Sequence, residues 1–192
     1  NKLVVGSLNR GGLRGASFEM DDRITGYDIP GIVRDRLDFA KMLNRINFSD
    51  AGTANLLQFS HEQVNAAAAA KLPIMLEPFI SEWVDGKIKN DLSTDATVLS
   101  VAIASALGNS SAYTWMKLPV VPNMEQVMEA TTLPTLLLGG DPVEGEQEVF
   151  AKWDAALRLP GVRGLVIGRS LLYPQSGDVA AAIDTAVKLV HR

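Results

Sequence analysis

Short apolar runs recur along this chain, each separated from the next by a longer segment of helical period. That alternation constrains the fold more than any other feature, because it is the signature of βα units and a parallel sheet. Strands are expected at Lys2–Leu8, Phe39–Ile46, Pro73–Phe79, Tyr113–Val120, Pro134–Leu138 and Gly164–Gly168. Helices are expected over Thr53–Ala70, Ser93–Leu107, Asn123–Ala130, Glu146–Leu157 and Asp178–Val190. Ser93-Thr94-Asp95 supplies a helix cap, and Gly52, Leu133-Pro134 and Leu159-Pro160-Gly161 punctuate the turns.

The strand segments are continuously apolar, so both faces of the sheet should be covered. An open doubly wound sheet and a closed (β/α)8 barrel, the TIM barrel, both satisfy that. Gly6-Ser7-Leu8-Asn9-Arg10-Gly11-Gly12 matches neither the dinucleotide fingerprint nor the P-loop. Polar residues at the carboxyl ends of several strands favour the barrel. A complete barrel needs eight strands, and six are found. The expectation is a single α/β domain over residues 1–192 that supplies about six βα units, strands three to eight, with the first two missing from the front. Open sheet edges would then invite pairing with another chain, so a homo-oligomer is expected.

Composition removes several function classes. With no cysteine there is no disulfide, thiolate metal site or thiol nucleophile, and two histidines cannot build a multi-histidine zinc site. A net charge of -4 without a basic run argues against a nucleic-acid partner. The first residue is not Met, and the apolar start Leu3-Val4-Val5 breaks at Gly6, too soon for a signal-peptide core. No stretch approaches a membrane span. A cytoplasmic protein with no membrane partner, no metal and no cofactor is expected.

Two lysines and one glutamate interrupt the apolar runs. Lys41 lies in Phe39-Ala40-Lys41-Met42-Leu43, and Lys117 in Trp115-Met116-Lys117-Leu118-Pro119. An ammonium among apolar neighbours loses solvation, which favours the neutral amine that attack on a carbonyl carbon requires. Each lysine alone could instead snorkel from a strand end or pair with a carboxylate. Glu77, in Ile74-Met75-Leu76-Glu77-Pro78, is either an ion-pair partner of Lys41 or Arg45 or a group that orients the reactive lysine and moves protons. The two roles are compatible.

Leu138-Gly139-Gly140 and Gly168-Arg169-Ser170 end two consecutive strands. Glycines let main-chain N–H groups approach a phosphate, and an arginine fork grips its oxygens. Loops after the last two barrel strands are the usual phosphate cradle of that fold. Ser7, Asn9 and Arg10 follow the first strand, where they either bond substrate hydroxyls or a carboxylate, or tie the loop down. Glu19-Met20-Asp21-Asp22-Arg23 continues that long loop, with Asp21-Asp22 read as a solvated turn rather than a Mg²⁺ site. Trp115 is read as packing.

Lys41, Glu77 and Lys117 on three successive strands, followed by the two glycine loops, resemble the class I (Schiff-base) aldolase superfamily, which includes deoxyribose-phosphate and tagatose-bisphosphate aldolases. Gly6-Ser7-Leu8-Asn9-Arg10-Gly11-Gly12-Leu13, Phe18-Glu19-Met20-Asp21-Asp22-Arg23 and Ser111-Ala112-Tyr113-Thr114-Trp115 are similar to segments of aldolase-like (β/α)8 proteins encoded with inositol-catabolism genes. The resemblance implies a metal-independent lyase in which Lys117 forms an imine with a phosphorylated sugar or sugar acid, of the 2-deoxy-5-keto-gluconate 6-phosphate type. Glu77 and Lys41 would manage protons, and Gly139, Gly140, Gly168 and Arg169 would bind the phosphate. A barrel isomerase using Glu77 and Lys41, or a non-catalytic sugar-phosphate-binding protein, is the alternative.

Overall fold

The computed structural model describes residues 3–9, 15–23, 25–139 and 145–191. Its first half contains β1 (Val5–Ser7), α1 (Ile29–Arg34), β2 (Phe39–Ile46), α2 (Gly52–Ala69), β3 (Ile74–Val84), β4 (Lys87–Asn90) and α3 (Thr94–Ser105). The second half adds β5 (Thr114–Leu118), α4 (Met124–Glu129), β6 (Thr135–Leu138), α5 (Glu146–Leu157), β7 (Val162–Val166), α6 (Arg169–Leu172) and α7 (Val179–Val190).

The parallel strands lie in the order β1-β2-β3-β5-β6-β7, which is the order of the chain. A doubly wound sheet reverses direction at a switch point. This one never reverses, so of the two architectures open to the sequence it has the barrel type. Crossovers of one hand, always moving the same way, carry every helix to one side. The result is a curled half-barrel of six parallel strands, part of a TIM-barrel-like fold.

Side-chain alternation sorts the two faces. Ala40 and Met42 of β2, Ile74 and Leu76 of β3, and Met116 of β5 turn outward and pack with Leu56 of α2, Val101 of α3 and Val127 of α4 in one core. The intervening positions Lys41, Leu43 and Arg45 of β2, Glu77 and Phe79 of β3, and Lys117 of β5 turn inward and line a cleft of about 910 Å³. Position parity along each strand therefore decides which residues join the core and which line the cleft.

Most elements match expectation to within two residues, and β2 and α5 match at both ends. The main departure is β3, which runs past Phe79 to Val84 and returns as the antiparallel β4. Asp85 and Gly86 turn the chain with φ of 50° and 71°, the two left-handed positions of a tight hairpin. Pro78 offers no N–H, and β3 pairs with β5 only over Ile74–Leu76. The outer half of β3, no longer held by β5, pairs with its own continuation. Trp83 Nε1 then donates to Asp50 Oδ2 at 2.6 Å, tying the hairpin to the loop after β2. Helices α1 and α6 were also not anticipated. Asp28 caps the first by accepting from Gly31 N at 2.7 Å, and the second is a single turn of four residues.

Among the described residues no helix is long and apolar enough to cross a membrane.

Candidate functional site

Lys41, Glu77 and Lys117 come from three adjacent strands. Glu77 stands opposite Leu43 in the β2–β3 register, and Leu76 opposite Met116 in the β3–β5 register. Those registers set the glutamate between the two lysines. Its Oε2 lies 2.7 Å from Lys41 Nζ, and its Oε1 accepts a hydrogen bond from Lys117 Nζ, also at 2.7 Å. The three side chains are only 11–16% exposed.

One carboxylate thus serves two ammonium groups. Burial is the largest single influence on Glu77 and pushes its carboxyl up. The charges of Lys41 and Lys117, with the hydrogen bonds they donate, push it down by more in sum and hold it below the ordinary glutamate range. The two readings of the lysines, reactive amine or ion-pair partner, therefore meet in one arrangement. Each lysine is paired, and the pairing carboxylate is itself a proton acceptor in contact with the amine.

One pleat towards the strand starts, Phe39 precedes Lys41 and Trp115 precedes Lys117 on the same face. Their rings meet edge to face with centroids 5.4 Å apart. This edge-to-face contact supplies the packing role expected of Trp115.

Across the cleft, Gly139, Gly168 and Arg169 line the wall formed by the ends of β6 and β7. A Cβ on Gly139 would lie 2.8 Å from Ile167 Cγ2, so the close approach of the two strand ends requires glycine there. Gly168 has open space where a Cβ would stand. Gly140 and Arg10 lie outside the described residues.

Ser7 and Asn9 are not part of the cleft wall. Ser7 Oγ donates to Asn9 O at 2.7 Å. Asn9 is fully enclosed, and its amide donates to Leu43 O at 2.8 Å and Asp22 O at 3.1 Å while its Oδ1 accepts from Leu43 N at 2.9 Å. The side chain imitates a strand neighbour for β2. These bonds tie the loop to β2, which is one of the two roles open to Asn9.

Of the two ion-pair partners open to Glu77, Lys41 takes that place and Arg45 pairs elsewhere. Its Nη1 lies 3.0 Å from Glu19 Oε1, and both residues line the cleft. Asp22 is 2% exposed rather than solvated, whereas Asp21 is held by the Arg23 guanidinium, which keeps its carboxyl low. Among the described residues no three His, Cys, Asp or Glu side chains group as metal ligands. The cleft also contains Lys89 from the hairpin and Lys152 from α5, which the sequence did not single out. The Asp85-Gly86 turn was the one local signal pointing to Lys89.

A family model described as Cgl0159-like matches residues 1–187. The structure is similar to Cgl0159 from Corynebacterium glutamicum (Brevibacterium flavum), with TM-score 0.94 and 67% identity over 99% of this chain. The chain spans 64% of the length of that relative. A Schiff-base-forming fructose-1,6-bisphosphate aldolase matches with TM-score 0.70 and 17% identity, over 88% of this chain and 64% of that one. Fructose-bisphosphate aldolase from Slackia heliotrinireducens DSM 20476 matches with TM-score 0.68 and 14% identity, over 98% and 67%. At such identities the likeness to the aldolases is one of fold. No curated protein matches the chain.

Proposed function

The chain belongs to the Cgl0159-like family, and on that premise we propose that it is a class I aldolase, a lyase that works through an imine on Lys117. The observation that carries this reading is the buried Lys117–Glu77–Lys41 cluster, with a hydrogen-bonded amine and carboxylate facing a cleft. The fold it shares with a Schiff-base-forming aldolase supports it further.

In this reading Lys117 passes a proton to Glu77 Oε1, and the neutral amine attacks the substrate carbonyl carbon. A carboxyl held low is a weak base and a ready acid. It returns the proton to the carbinolamine hydroxyl, which leaves as water and yields the protonated imine. The bond between the carbon alpha to the imine and the hydroxyl-bearing carbon beyond it then breaks, its electron pair moving towards nitrogen to give an enamine. That hydroxyl gives up its proton to the Glu77 carboxylate, and its carbon leaves as an aldehyde. Protonation of the enamine and hydrolysis of the imine return the free lysine. Lys41 keeps a positive charge beside Glu77 throughout and holds the carboxylate in place.

The substrate is a phosphorylated sugar or sugar acid, with its phosphate on Gly139, Gly140, Gly168 and Arg169. The resemblance to proteins of inositol catabolism favours the 2-deoxy-5-keto-gluconate 6-phosphate type, and no metal takes part. The six parallel strands take the third to eighth places of a barrel, which makes β6 and β7 the strands whose loops carry the phosphate.

Borohydride reduction in the presence of phosphorylated ketoses tests the reading. The expected result is a stable adduct on the peptide containing Lys117, absent from Lys117→Ala. Turnover without any adduct would replace the aldolase by an isomerase using Glu77 and Lys41. Stoichiometric binding without turnover or adduct would leave a sugar-phosphate-binding protein.

A further inference from the structure

Strand register offers Glu77 two cations on β2. On the inward face of that strand, Lys41 stands opposite Met75, Leu43 opposite Glu77 and Arg45 opposite Phe79. Lys41 and Arg45 therefore flank the glutamate on equal diagonals, roughly 8 Å between main chains for one strand across and two residues along. Yet Glu77 Oε2 takes Lys41 at 2.7 Å, while Arg45 turns to Glu19 at 3.0 Å. Register alone cannot break that tie.

Two features differ between the diagonals. Glu19 attracts Arg45, and its other oxygen is anchored by accepting from Gly15 N at 2.9 Å. The β3 residue facing Arg45 is also an aromatic ring, where the one facing Lys41 is the flexible Met75. Phe79 follows Glu77 on the inward face, and with Leu43 it lines the cleft while only 6–7% exposed. The pull of Glu19 does not saturate the guanidinium, because Arg45 Nε is buried without an acceptor. A second carboxylate within reach would draw it.

Which cation Glu77 takes decides what it can do. A guanidinium grips a carboxylate through two parallel bonds and stays charged at any working pH. On Glu77 it would cover the oxygen that receives the proton of Lys117 and could relay none itself. We propose that Phe79 is a positioning residue: its ring fills the diagonal between Arg45 and Glu77, keeps the guanidinium off the carboxylate and reserves Glu77 for the two amines. The aldolase reading supplies the reaction this serves, and the geometry stands apart from it.

The rate of borohydride trapping with dihydroxyacetone phosphate, measured at neutral pH on the full chain, tests it. Phe79→Ala is expected to slow trapping about 10-fold or more, as Arg45 takes up the proton acceptor. Adding Arg45→Met with Glu19→Gln, which leaves neither of that pair charged, should bring the rate back to within about threefold of wild type. Phe79→Leu, which still fills the diagonal, and Glu19→Gln alone, which leaves the ring in place, should each change it less than about threefold. Phe79→Val gives the same comparison should Phe79→Ala not fold. A loss that removing Arg45 does not recover would show that Phe79 acts by packing alone, and would overturn the proposal. So would no loss in Phe79→Ala, or an equal loss in Glu19→Gln, which would make Glu19 the residue that decides. Should wild type trap no phosphorylated ketose, the imine reading fails, and crystal structures of wild type and Phe79→Ala decide the role of the ring by themselves. Arg45 on Glu77 in the variant upholds it, and Arg45 on Glu19 in both overturns it.

Discussion

Lys117 Nζ reaches from β5 to donate a hydrogen bond to Glu77 Oε1 on β3 at 2.7 Å, in a pocket that leaves both side chains at most 15% exposed. The same carboxylate holds Lys41 from the opposite flank. Removing its charge leaves two ammonium groups facing each other away from water. Glu77→Gln is therefore expected to lose about 3 kcal/mol of stability in urea unfolding, the cost of breaking a buried pair from one side. Imine trapping should slow by about 100-fold or more, since the proton acceptor goes with it. Adding Lys41→Met to Glu77→Gln should recover part of the stability and none of the trapping rate.

The depressed carboxyl of Glu77 makes stability depend on acid. Protonating it costs more in the folded protein than in the unfolded chain, so its contribution is complete above the ordinary glutamate range. It falls away as pH drops through the lower folded value. The stability difference between wild type and Glu77→Gln should be flat at neutral pH and shrink in acid, starting where exposed glutamates titrate and ending below the lower folded value. Urea midpoints measured across an acid series give the curve. A difference that rises towards acid would contradict the assignment.

Gly139→Ala forces a Cβ to within 2.8 Å of Ile167 Cγ2. The strand ends must then separate, at a cost of about 1–3 kcal/mol. KM for a phosphorylated ketose should rise with kcat less affected, because on the proposed reading the wall that moves holds the phosphate and not the amine. Shortening the partner in Gly139→Ala/Ile167→Ala should restore part of the lost affinity.

Asn9→Ala removes three hydrogen bonds at once and leaves the main chain of Leu43 without partners in an enclosed site. A loss of about 2–4 kcal/mol is expected. If Asn9 serves only to anchor the loop, the melting temperature falls while the half-saturating concentration of substrate stays within about twofold of wild type. A large rise in that concentration at unchanged stability would return Asn9 to substrate binding.

The legible part of this molecule is the part where chemistry interrupts packing. Lys41, Glu77 and Lys117 stand out because a charge in an apolar strand is anomalous whatever the sheet looks like. β2 could be bounded at Phe39 and Ile46 because its apolar run begins and ends abruptly. Arg45 was visible as a charged strand residue, but its partner was not. In the β2–β3 register it stands opposite Phe79, two residues beyond Glu77, and registers between strands cannot be read from one chain. Glu19 reaches it from a loop without periodicity. The hairpin was missed for a different reason. Asp85-Gly86 is a turn signal, but Glu82, Lys87 and Lys89 dilute the alternation on either side of it. Asn9 has two roles open to it in the sequence, because nothing there distinguishes an amide that reads a ligand from one that completes a strand.

Leu76 and Met116, matched in register and wholly enclosed, immediately precede Glu77 and Lys117. The spacing of the Glu77–Lys117 pair is therefore dictated from behind the sheet, by oily contacts that lie outside the cleft. If the pair works as proposed, slight slackening there would blunt turnover well before the chain lost its shape, and catalytic rate would be the more sensitive gauge of how tightly this interior is assembled.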